Sequence, residues 1–437
     1  MTRQKTLSCP SLHHSVYMAP DELRHCCKRF FVKGKMKGDV RIFRVKNDSD
    51  INAEKILSAK RKLYNDINNG KKTPCSGCPY LFKDHWPELN KLELNHISVE
   101  AHSVCNMKCS YCSEIYYGGL KPNYDLRKII SEFRKFGVIS KNLQVAWGGG
   151  EPVLLEKFDQ IFEELNEAVK PRMNMIYSNS TKYSKTIEKY LSTGKATMTT
   201  SIDAGTIETF KKVRGIKGIK KVFENLERYF SQAQKGIIIK YILTEENSNK
   251  KDLEKFIELV EKHKLLKCSF QISSSYKKEE INDELLNAAV SLYLNLVKKN
   301  AEYVFFDYHL NPKLKNKIRN IVNNHQKNLD PTIEKVNQFN NQDNLNVIVW
   351  GAGETARQII QDSPFFENSK VEIAFFVDSD KSKIGTHINN IEVKSPKEIK
   401  DFDYPIMIAS SVYYKKIFEY IVDLGIRKSR IMNSLFF

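Results

Sequence analysis

The chain has 437 residues, enough at roughly 150 per domain for about three domains. Hydrophobic residues make up 41% and aromatics 11%, so more than one core can be buried and disorder throughout is excluded. Lys and Arg number 70 against 52 Asp and Glu, a net charge of +18. The excess is uneven: 19 basic and 10 acidic residues in 1–95, 39 and 30 in 96–345, and 12 of each in 346–437. The lysines are spread along helix faces, with no compact basic run interleaved with aromatics, so they read as a solvated surface and nucleic acid is not an expected partner. The apolar run 236–243 (GIIIKYIL) is far short of the ~18 residues of a membrane span and carries a lysine. The opening MTRQKTLSCPSLHH has no apolar stretch of a secretory signal, so a globular, cytoplasmic protein is expected.

Residues 1–90 read as irregular around Gly34 and Gly38, with an extended run at 40–45, a helix over 53–67 and the turn-rich NNGKKTPCSGCP. From residue 92 a β/α rhythm begins. Strands are predicted at 94–99, 143–147, 173–177, 196–202, 236–243 and 268–272. Helical patterns lie between them, such as Ile219, Val222, Leu226 and Phe230 at 3/4 spacing. Pro152 suits a helix first turn and Gly194 a helix stop. Strands alternating with helices imply a parallel sheet, open or closed into a partial barrel. The stretch 311–345, rich in Asn and Lys, is expected to be a helix and linker, and the apolar run 346–350 opens a small α/β domain. The expected division is 1–91, 92–310, 311–345 and 346–437.

Eight of the nine cysteines precede residue 113. An odd count without a secretory signal favours metal or redox use over a disulfide framework. Cys105-Asn-Met-Lys-Cys109-Ser-Tyr-Cys112 directly follows the strand at 94–99. Three thiolates at this spacing can hold three irons of a [4Fe–4S] cube and leave the fourth open to a small molecule, whereas ferredoxins close the cube with four cysteines. The alternative is zinc with His102 as fourth ligand, although zinc sites usually come as paired knuckles. After the second strand comes Trp147-Gly148-Gly149-Gly150-Glu151-Pro152, where glycines admit close backbone approach and Glu151 can pair with an ammonium. A tight turn using the glycines for geometry alone is the other reading. The next strands end in Tyr177-Ser178-Asn179-Ser180 and Ser201-Ile202-Asp203-Ala204, so polar residues gather at successive strand ends, where barrels bind ligands.

CxxxCxxC with an aromatic, Tyr111, before the third cysteine, followed by the GGE of Gly149, Gly150 and Glu151, resembles the radical S-adenosylmethionine (SAM) superfamily. The resemblance implies a partial (β/α)6 TIM-like barrel. It also implies a [4Fe–4S] cluster on Cys105, Cys109 and Cys112 whose open iron chelates SAM. Glu151 would contact the methionine amine, and Asn179, Ser201 and Asp203 match positions near the nucleoside or methionine. Arg214 is a candidate for a carboxylate contact or else a surface arginine. One electron from an external reductant such as flavodoxin or ferredoxin would cleave the sulfonium to a 5′-deoxyadenosyl radical, which abstracts hydrogen from a substrate.

Cys75-Ser-Gly-Cys78 is half a metal site by spacing, and Cys9 with Cys26 or Cys27 could complete it. This set resembles the auxiliary-cluster modules called SPASM or twitch, although it lies before the barrel. It is expected to hold a second [4Fe–4S] cluster, with zinc or free thiols as alternatives. Near the other end, Val347-Ile348-Val349-Trp350 runs into Gly351-Ala352-Gly353, and Asp378 ends the next strand. This order resembles a small Rossmann-like module of nucleotide-sugar enzymes, with the glycine turn for phosphate and Asp378 for ribose. A scaffold domain without ligand is the alternative. The expectation is therefore a radical SAM enzyme in sugar-nucleotide or surface-glycan metabolism, acting on a small molecule such as a nucleotide-linked sugar. A radical maturase of peptides and a non-catalytic sensor are the rivals.

Overall fold

The computed structural model describes residues 4–112, 119–278, 280–307, 317–318, 321–322, 345–353, 356–357, 371–410 and 413–432. Almost all of the predicted linker, 311–345, and Glu354 and Thr355 after the glycine turn lie outside the described residues. The chain divides into two compact units, residues 1–268 with 274–281, and residues 269–273 with 282–437.

The first unit opens with β1 (Thr6–Ser8), α1 (Pro10–His14), β2 (Ser15–Met18), β3 (Glu22–Arg24), β4 (Arg29–Val32), β5 (Lys35–Gly38), β6 (Arg41–Arg44), α2 (Ala53–Asn68) and β7 (Phe82–Asp84). There follow β8 (Leu94–Val99), α3 (Leu126–Lys135), β9 (Ile139–Trp147), α4 (Phe158–Val169), β10 (Met173–Tyr177), α5 (Lys185–Ser192) and β11 (Ala196–Ser201). α6 (Ile207–Arg214), α7 (Ile219–Ala233), β12 (Ile237–Leu243) and α8 (Lys250–Lys262) complete it. Strands β8 to β12 are parallel to one another in chain order, with helices in the crossovers, which is the sheet of a partial (β/α) barrel. The segment read as irregular carries more regular structure than expected. β2 joins the same sheet in parallel with β8, and β3 and β6 extend it antiparallel. β6 lies within the extended run expected at 40–45, whereas β2 and β3, of four and three residues, are too short to show a period in sequence, which is why they were not predicted.

The pairing register puts Met18, Val99, Trp147, Ile176, Met198 and Ile237 in one cross-strand row, all buried. The adjacent row on the opposite face, Tyr17, Ser98, Ala146, Met175 and Thr197, mixes polar with apolar side chains. Trp147 packs on Phe158 and Phe162 of α4 and bonds its Nε1 to Asn174 at 3.1 Å, so its one polar atom is satisfied. Side chains of Asn52, Asp125, Ser184, Thr206 and Asn249 cap α2, α3, α5, α6 and α8 by accepting first-turn N–H groups. Gly215, at φ +80°, ends α6.

The second unit holds β13 (Ser269–Ser274), α9 (Asp283–Lys298) and β14 (Tyr303–Phe306), with β13 and β14 parallel. It also holds β15 (Leu345–Trp350), β16 (Val371–Val377), β17 (His387–Ile388), β18 (Ile391–Lys394), β19 (Ile406–Ile408), α10 (Tyr414–Asp423) and β20 (Ile431–Met432). These last strands form a sheet in the order β17-β18-β16-β15-β19-β20, parallel except for β17. Such an order reverses direction beside the first strand, at β15, as in open doubly wound sheets. Ile348, Trp350, Phe375, Val377, Ile406, Ile408 and Ile421 form its core.

One buried carboxylate ties the barrel crossovers together. Asp252 of α8 accepts from Gly205 N (2.9 Å), Thr206 N (3.1 Å) and the Tyr241 hydroxyl (2.9 Å). Asp252→Ala strands the two backbone donors, while the Tyr241 hydroxyl keeps the Asn247 carbonyl at 3.0 Å, and a loss of about 2–4 kcal/mol is expected in urea unfolding. Asp252→Asn, which keeps one acceptor oxygen, should lose less.

Candidate functional site

The cysteine triplet lies on the loop that leaves β8, and hydrogen bonds to backbone grip that loop from two sides. On one side Gly150 N donates to His102 O and Glu151 N to Val104 O, both at 2.9 Å. On the other, Lys108 N donates to Arg214 O at 3.1 Å and Ser110 N to Val213 O at 2.9 Å. Glycine is required where the strands meet the loop. A Cβ on Gly150 would stand 2.1 Å from Val104 O, and one on Gly149, which has φ +90°, 2.6 Å from His102 O. The glycines of GGE thus admit the cysteine loop itself.

Cys109 is buried, Cys112 half-buried and Cys105 exposed. Burial pushes the Cys109 thiol up to about 12 and raises Cys105, with the Arg214 guanidinium pulling both back. The free thiols are therefore protonated near neutrality, and binding a metal must expel their protons. His102 is buried, kept neutral by burial, and both of its ring nitrogens lack a hydrogen-bond partner. Among the described residues no three His, Cys, Asp or Glu side chains converge closely enough to hold a single metal ion. A cubane, with one iron per thiolate, spreads its ligands more widely than a single ion does.

Glu151 is 1% exposed. It accepts from Ser178 Oγ at 2.7 Å and Asn179 N at 2.6 Å, and among the described residues it forms no ion pair. Burial outweighs these bonds and pushes its carboxyl up to about 7. Asn179 spans Glu151 and the cysteine loop: its Nδ2 donates to Asn106 Oδ1 at 2.8 Å and lies 3.8 Å from Cys105 Sγ. A buried carboxylate without a cation, beside the triplet, is a fitting seat for an ammonium group. The residues present thus fit an iron–sulfur cluster carrying an α-amino acid ligand.

Asp203 is fully buried at φ +60°, a left-handed conformation fixed by Asn247 Nδ2 on its carbonyl at 2.9 Å. Its carboxylate accepts from Ile242 N (2.6 Å), the Tyr111 hydroxyl (2.5 Å) and Arg214 Nη1 (3.1 Å). Arg214 is buried, so the reading of it as a surface arginine is corrected: it pairs with Asp203 and also bonds Tyr111. Burial raises the Asp203 carboxyl, while the bond from Ile242 N and the nearby Lys240 oppose that shift. The triplet's aromatic residue is thereby bound to the end of the fourth barrel strand. Ser201, half-buried, closes β11 two residues earlier. Sequence reasoning quoted Ser178 only as part of a polar strand end and missed Asn247, in the turn after β12, and Asp252, in the first turn of α8, because their partners lie far away in the chain.

The N-terminal cysteines Cys9, Cys26, Cys75 and Cys78 are half-buried and Cys27 is exposed. Burial pushes Cys75 up to about 12 and also raises Cys78. In the second unit Gly351, at φ +116°, closes β15, and Gly353 has open space where a Cβ would project. Asp378 does not stand free beside them. Its carboxylate accepts from Ala352 N at 2.9 Å, Asp380 N at 2.9 Å and Lys383 Nζ at 2.8 Å, so both oxygens are engaged within the domain, and Oδ1, with one donor, keeps room for a further one.

Comparison with known proteins decides the barrel. Residues 99–260 match the radical SAM superfamily model, over the strands that carry the triplet, GGE and Asp203. This part of the chain is a radical SAM domain. Residues 343–432 match a second family model, C2185-like, N-terminal. GTP 3′,8-cyclase of Mannheimia succiniciproducens is 24% identical over 170 residues, 38% of this chain and 49% of that protein. The Pasteurella multocida GTP 3′,8-cyclase is 23% identical over 168 residues, 37% of this chain and 48% of that one. The chain thus spans about half the length of these curated relatives. Among solved structures, Streptococcus suis SuiB aligns with a TM-score of 0.37 at 14% identity, over 58% of this chain and 54% of its own. Native anSMEcpe with bound AdoMet and Cp18Cys peptide aligns at 0.37 and 18% identity, over 48% and 62%. No helix among the described residues is long and apolar enough to cross a membrane.

Glu151 sets a pH dependence of the metal-free radical SAM protein. Its carboxyl is raised from 4.5 to about 7 on folding, so between those values the native state binds more protons than the unfolded state and stability falls as pH rises. Glu151→Gln removes that penalty. It should raise the stability of the metal-free protein at pH 8 relative to pH 5 by on the order of 2–3 kcal/mol, read by urea unfolding at the two pH values.

Proposed function

We propose that this protein is a radical SAM enzyme in which Cys105, Cys109 and Cys112 hold a [4Fe–4S] cluster and Glu151 receives the amine of SAM. The observation that carries the reading is the uncompensated Glu151 carboxylate beside a cysteine triplet, in a domain that matches the superfamily. When bound, the cluster and SAM supply one-electron cleavage of the sulfonium and hydrogen abstraction from a substrate. The chain's own residues bind and orient. Ser178 Oγ and Asn179 N fix both oxygens of Glu151, and the Asn179 amide approaches Cys105 Sγ. Gly149 and Gly150 let the cysteine loop approach, and Asp203 with Arg214 holds Tyr111. Ser201, at the end of the same strand, adds a hydroxyl on the nucleoside side. An external reductant such as flavodoxin or ferredoxin supplies the electron.

Replacing Cys105, Cys109 or Cys112 by Ala should abolish formation of 5′-deoxyadenosine from SAM under dithionite. Wild-type amounts from any of the three would sink the reading. Glu151→Gln should keep the cluster's absorption and weaken SAM binding at least tenfold in a titration followed by electron paramagnetic resonance.

The second part of the proposal concerns the flanking segments. Cys9, Cys75, Cys78 and one of Cys26 and Cys27 hold a second [4Fe–4S] cluster, and the C-terminal domain is a Rossmann-like module for a nucleotide-linked sugar, placing the enzyme in sugar-nucleotide or surface-glycan metabolism. The doubly wound strand order, the Gly351 turn and the open space at Gly353 support that module. The engagement of Asp378 by Ala352 and Lys383 means that recognition would rest on the turn and its neighbours and not on a free acid. Titration of the full chain with UDP-, GDP- and CDP-sugars by calorimetry tests it. Binding lost in Gly353→Val is expected; no heat with any of them removes the nucleotide-sugar reading and leaves a peptide substrate as the class to try next.

A further inference from the structure

The cysteine loop has an outward row as well as an inward one. Met107 and Cys109 are buried, whereas Asn106, Lys108 and Ser110, alternating with them, are exposed, and so is Cys105. The triplet therefore lies directly beneath a strip of accessible surface, whose borders are fixed by contacts. Lys108 lies against the end of α6: a Cβ on Gly215 would stand 2.9 Å from Lys108 O and 3.1 Å from Lys108 Cβ. Asn106 Nδ2 donates to Thr181 Oγ1 at 2.8 Å, and a Cβ on Gly218 would stand 3.9 Å from Thr181 Cγ2. The α6–α7 turn thus flanks the strip on one side. Lys277 reaches it at Ser110, donating from Nζ to Ser110 O at 3.0 Å.

Five lysines ring this strip. Lys108 is within it, Lys211 and Lys212 are in the last turn of α6, Lys217 is in the α6–α7 turn, and Lys277 bonds the loop directly; all five are exposed. Among the described residues none of the five is in an ion pair. Their neighbours differ: Lys220 and Lys221 face Glu224 on α7, and Lys278 pairs with Glu245. The acids close to the loop are withdrawn from its surface. Glu151 and Asp203 are buried, Asp203 is paired with Arg214, and Glu208 stands in the first turn of α6, away from its lysines. Cations in a last turn are favoured by the helix dipole, which accounts for Lys211 and Lys212 alone. Lys108, Lys217 and Lys277 lie off the helix and add to the same positive field.

We propose that this lysine surface is the docking face for an acidic electron-carrier protein, which delivers its electron through the exposed strip of the cysteine loop. This rests on the radical SAM reading above and assigns a place to the external donor that it requires. A donor must come close to the triplet, and two sides of the loop are closed by protein: β9 through Gly150 and Glu151, and α6 through Val213 and Arg214. The outward row is the accessible approach. Five unpaired cations around it favour a partner that presents carboxylates, steer its encounter, and do so less as salt screens them. Among the described residues of the strip none is an exposed aromatic, which stacking on a nucleic acid would use, so an acidic protein fits better. A small reductant such as dithionite needs no docking face, and the two donors therefore separate docking from chemistry.

The test follows 5′-deoxyadenosine formation by the anaerobically reconstituted full chain, driven either by limiting reduced flavodoxin, an acidic carrier, or by excess dithionite. The parent's flavodoxin-driven rate should fall at least tenfold from about 50 to about 500 mM KCl, and its dithionite-driven rate should not. Lys211→Glu, Lys212→Glu and Lys217→Glu together should slow the flavodoxin-driven rate at least tenfold at low salt and leave the dithionite-driven rate at the parent's. The same reversal at the exposed Lys262, Lys264 and Lys267, at and after the C-terminal end of α8, should change neither rate. A flavodoxin-driven rate untouched by the first triple variant, or slowed as much by the second, overturns the docking face. Should the glutamates lower the dithionite-driven rate as well, glutamines at the same three positions decide: a greater loss with flavodoxin than with dithionite supports the proposal, and an equal loss overturns it. If the parent forms no 5′-deoxyadenosine with dithionite, the radical SAM reading fails first, a result separate from all of these.

Discussion

The hydrogen bonds between the cysteine loop and the GGE strand end are the constraint on which the site depends. A loop of eight residues carrying three thiols has no shape of its own, and loops pay for order with conformational entropy. Here Gly150 and Glu151 donate to His102 and Val104 on one side of the triplet, and Arg214 and Val213 accept from Lys108 and Ser110 within it. The loop therefore inherits the rigidity of β9 and of the end of α6. The same contacts explain why two glycines must precede Glu151: a methyl group at either would collide with backbone, which cannot swing aside as a flexible side chain can. The glycines set the place of the triplet, and Glu151, next in sequence, is brought beside it by the same strand end.

The buried charges divide into those compensated in the metal-free protein and those that are not. Asp203 and Arg214 compensate one another and use Tyr111 and Ile242 to complete their bonding, so that pair is part of the scaffold. Asp378 and Lys383 do the same in the second unit. Glu151 and Lys60 are different. Each is buried, satisfied in hydrogen bonds, and without an opposite charge. Folding accepts such a penalty at functional sites more readily than in plain cores, because a ligand of opposite charge recovers it on binding. They differ in what faces them: Glu151 stands beside the triplet with a charge suited to an amine, whereas Lys60 is held by the carbonyls of Ser11, Leu12 and Ser15.

The sequence made the barrel legible because its strands are apolar runs of five or more residues separated by amphipathic helices. Strands predicted at 94–99 and 173–177 are found as β8 and β10, and the others differ only at their ends. The extended run read at 40–45 is found as β6, whereas β2 and β3 escaped for a physical reason: three or four residues bear no period, and their identity as sheet strands comes from pairing with β8 and with one another. The site was legible as residue types at strand ends. Its connections were not, since Tyr111 to Asp203 spans 92 positions and Asp203 to Ile242 spans 39. The order of strand, glycine turn and Asp378 suggested an acid turned toward a ligand; the fold shows that acid also accepting from its own glycine turn, at Ala352 N. Spacing places a residue near a turn, and only the surrounding donors decide where its oxygens go.

The cysteine pair shows the same limit from another side. Neighbours in sequence leave an extended strand toward opposite faces, so two adjacent thiols in extended backbone rarely serve one centre. Cys26 and Cys27 follow β3 and precede the β4–β5 hairpin, Cys26 half-buried and Cys27 exposed. Lys37 of β5 donates to Ser76 O at 3.3 Å in the Cys75–Cys78 turn, Val32 of β4 packs against Gly77, and Arg29 bonds Asp39 at 2.8 Å while stacking on Tyr276. A two-stranded ribbon thus touches the CxxC turn with one part and Asp39 with another. A hairpin that the sequence did not reveal thus anchors the Cys75–Cys78 turn from outside.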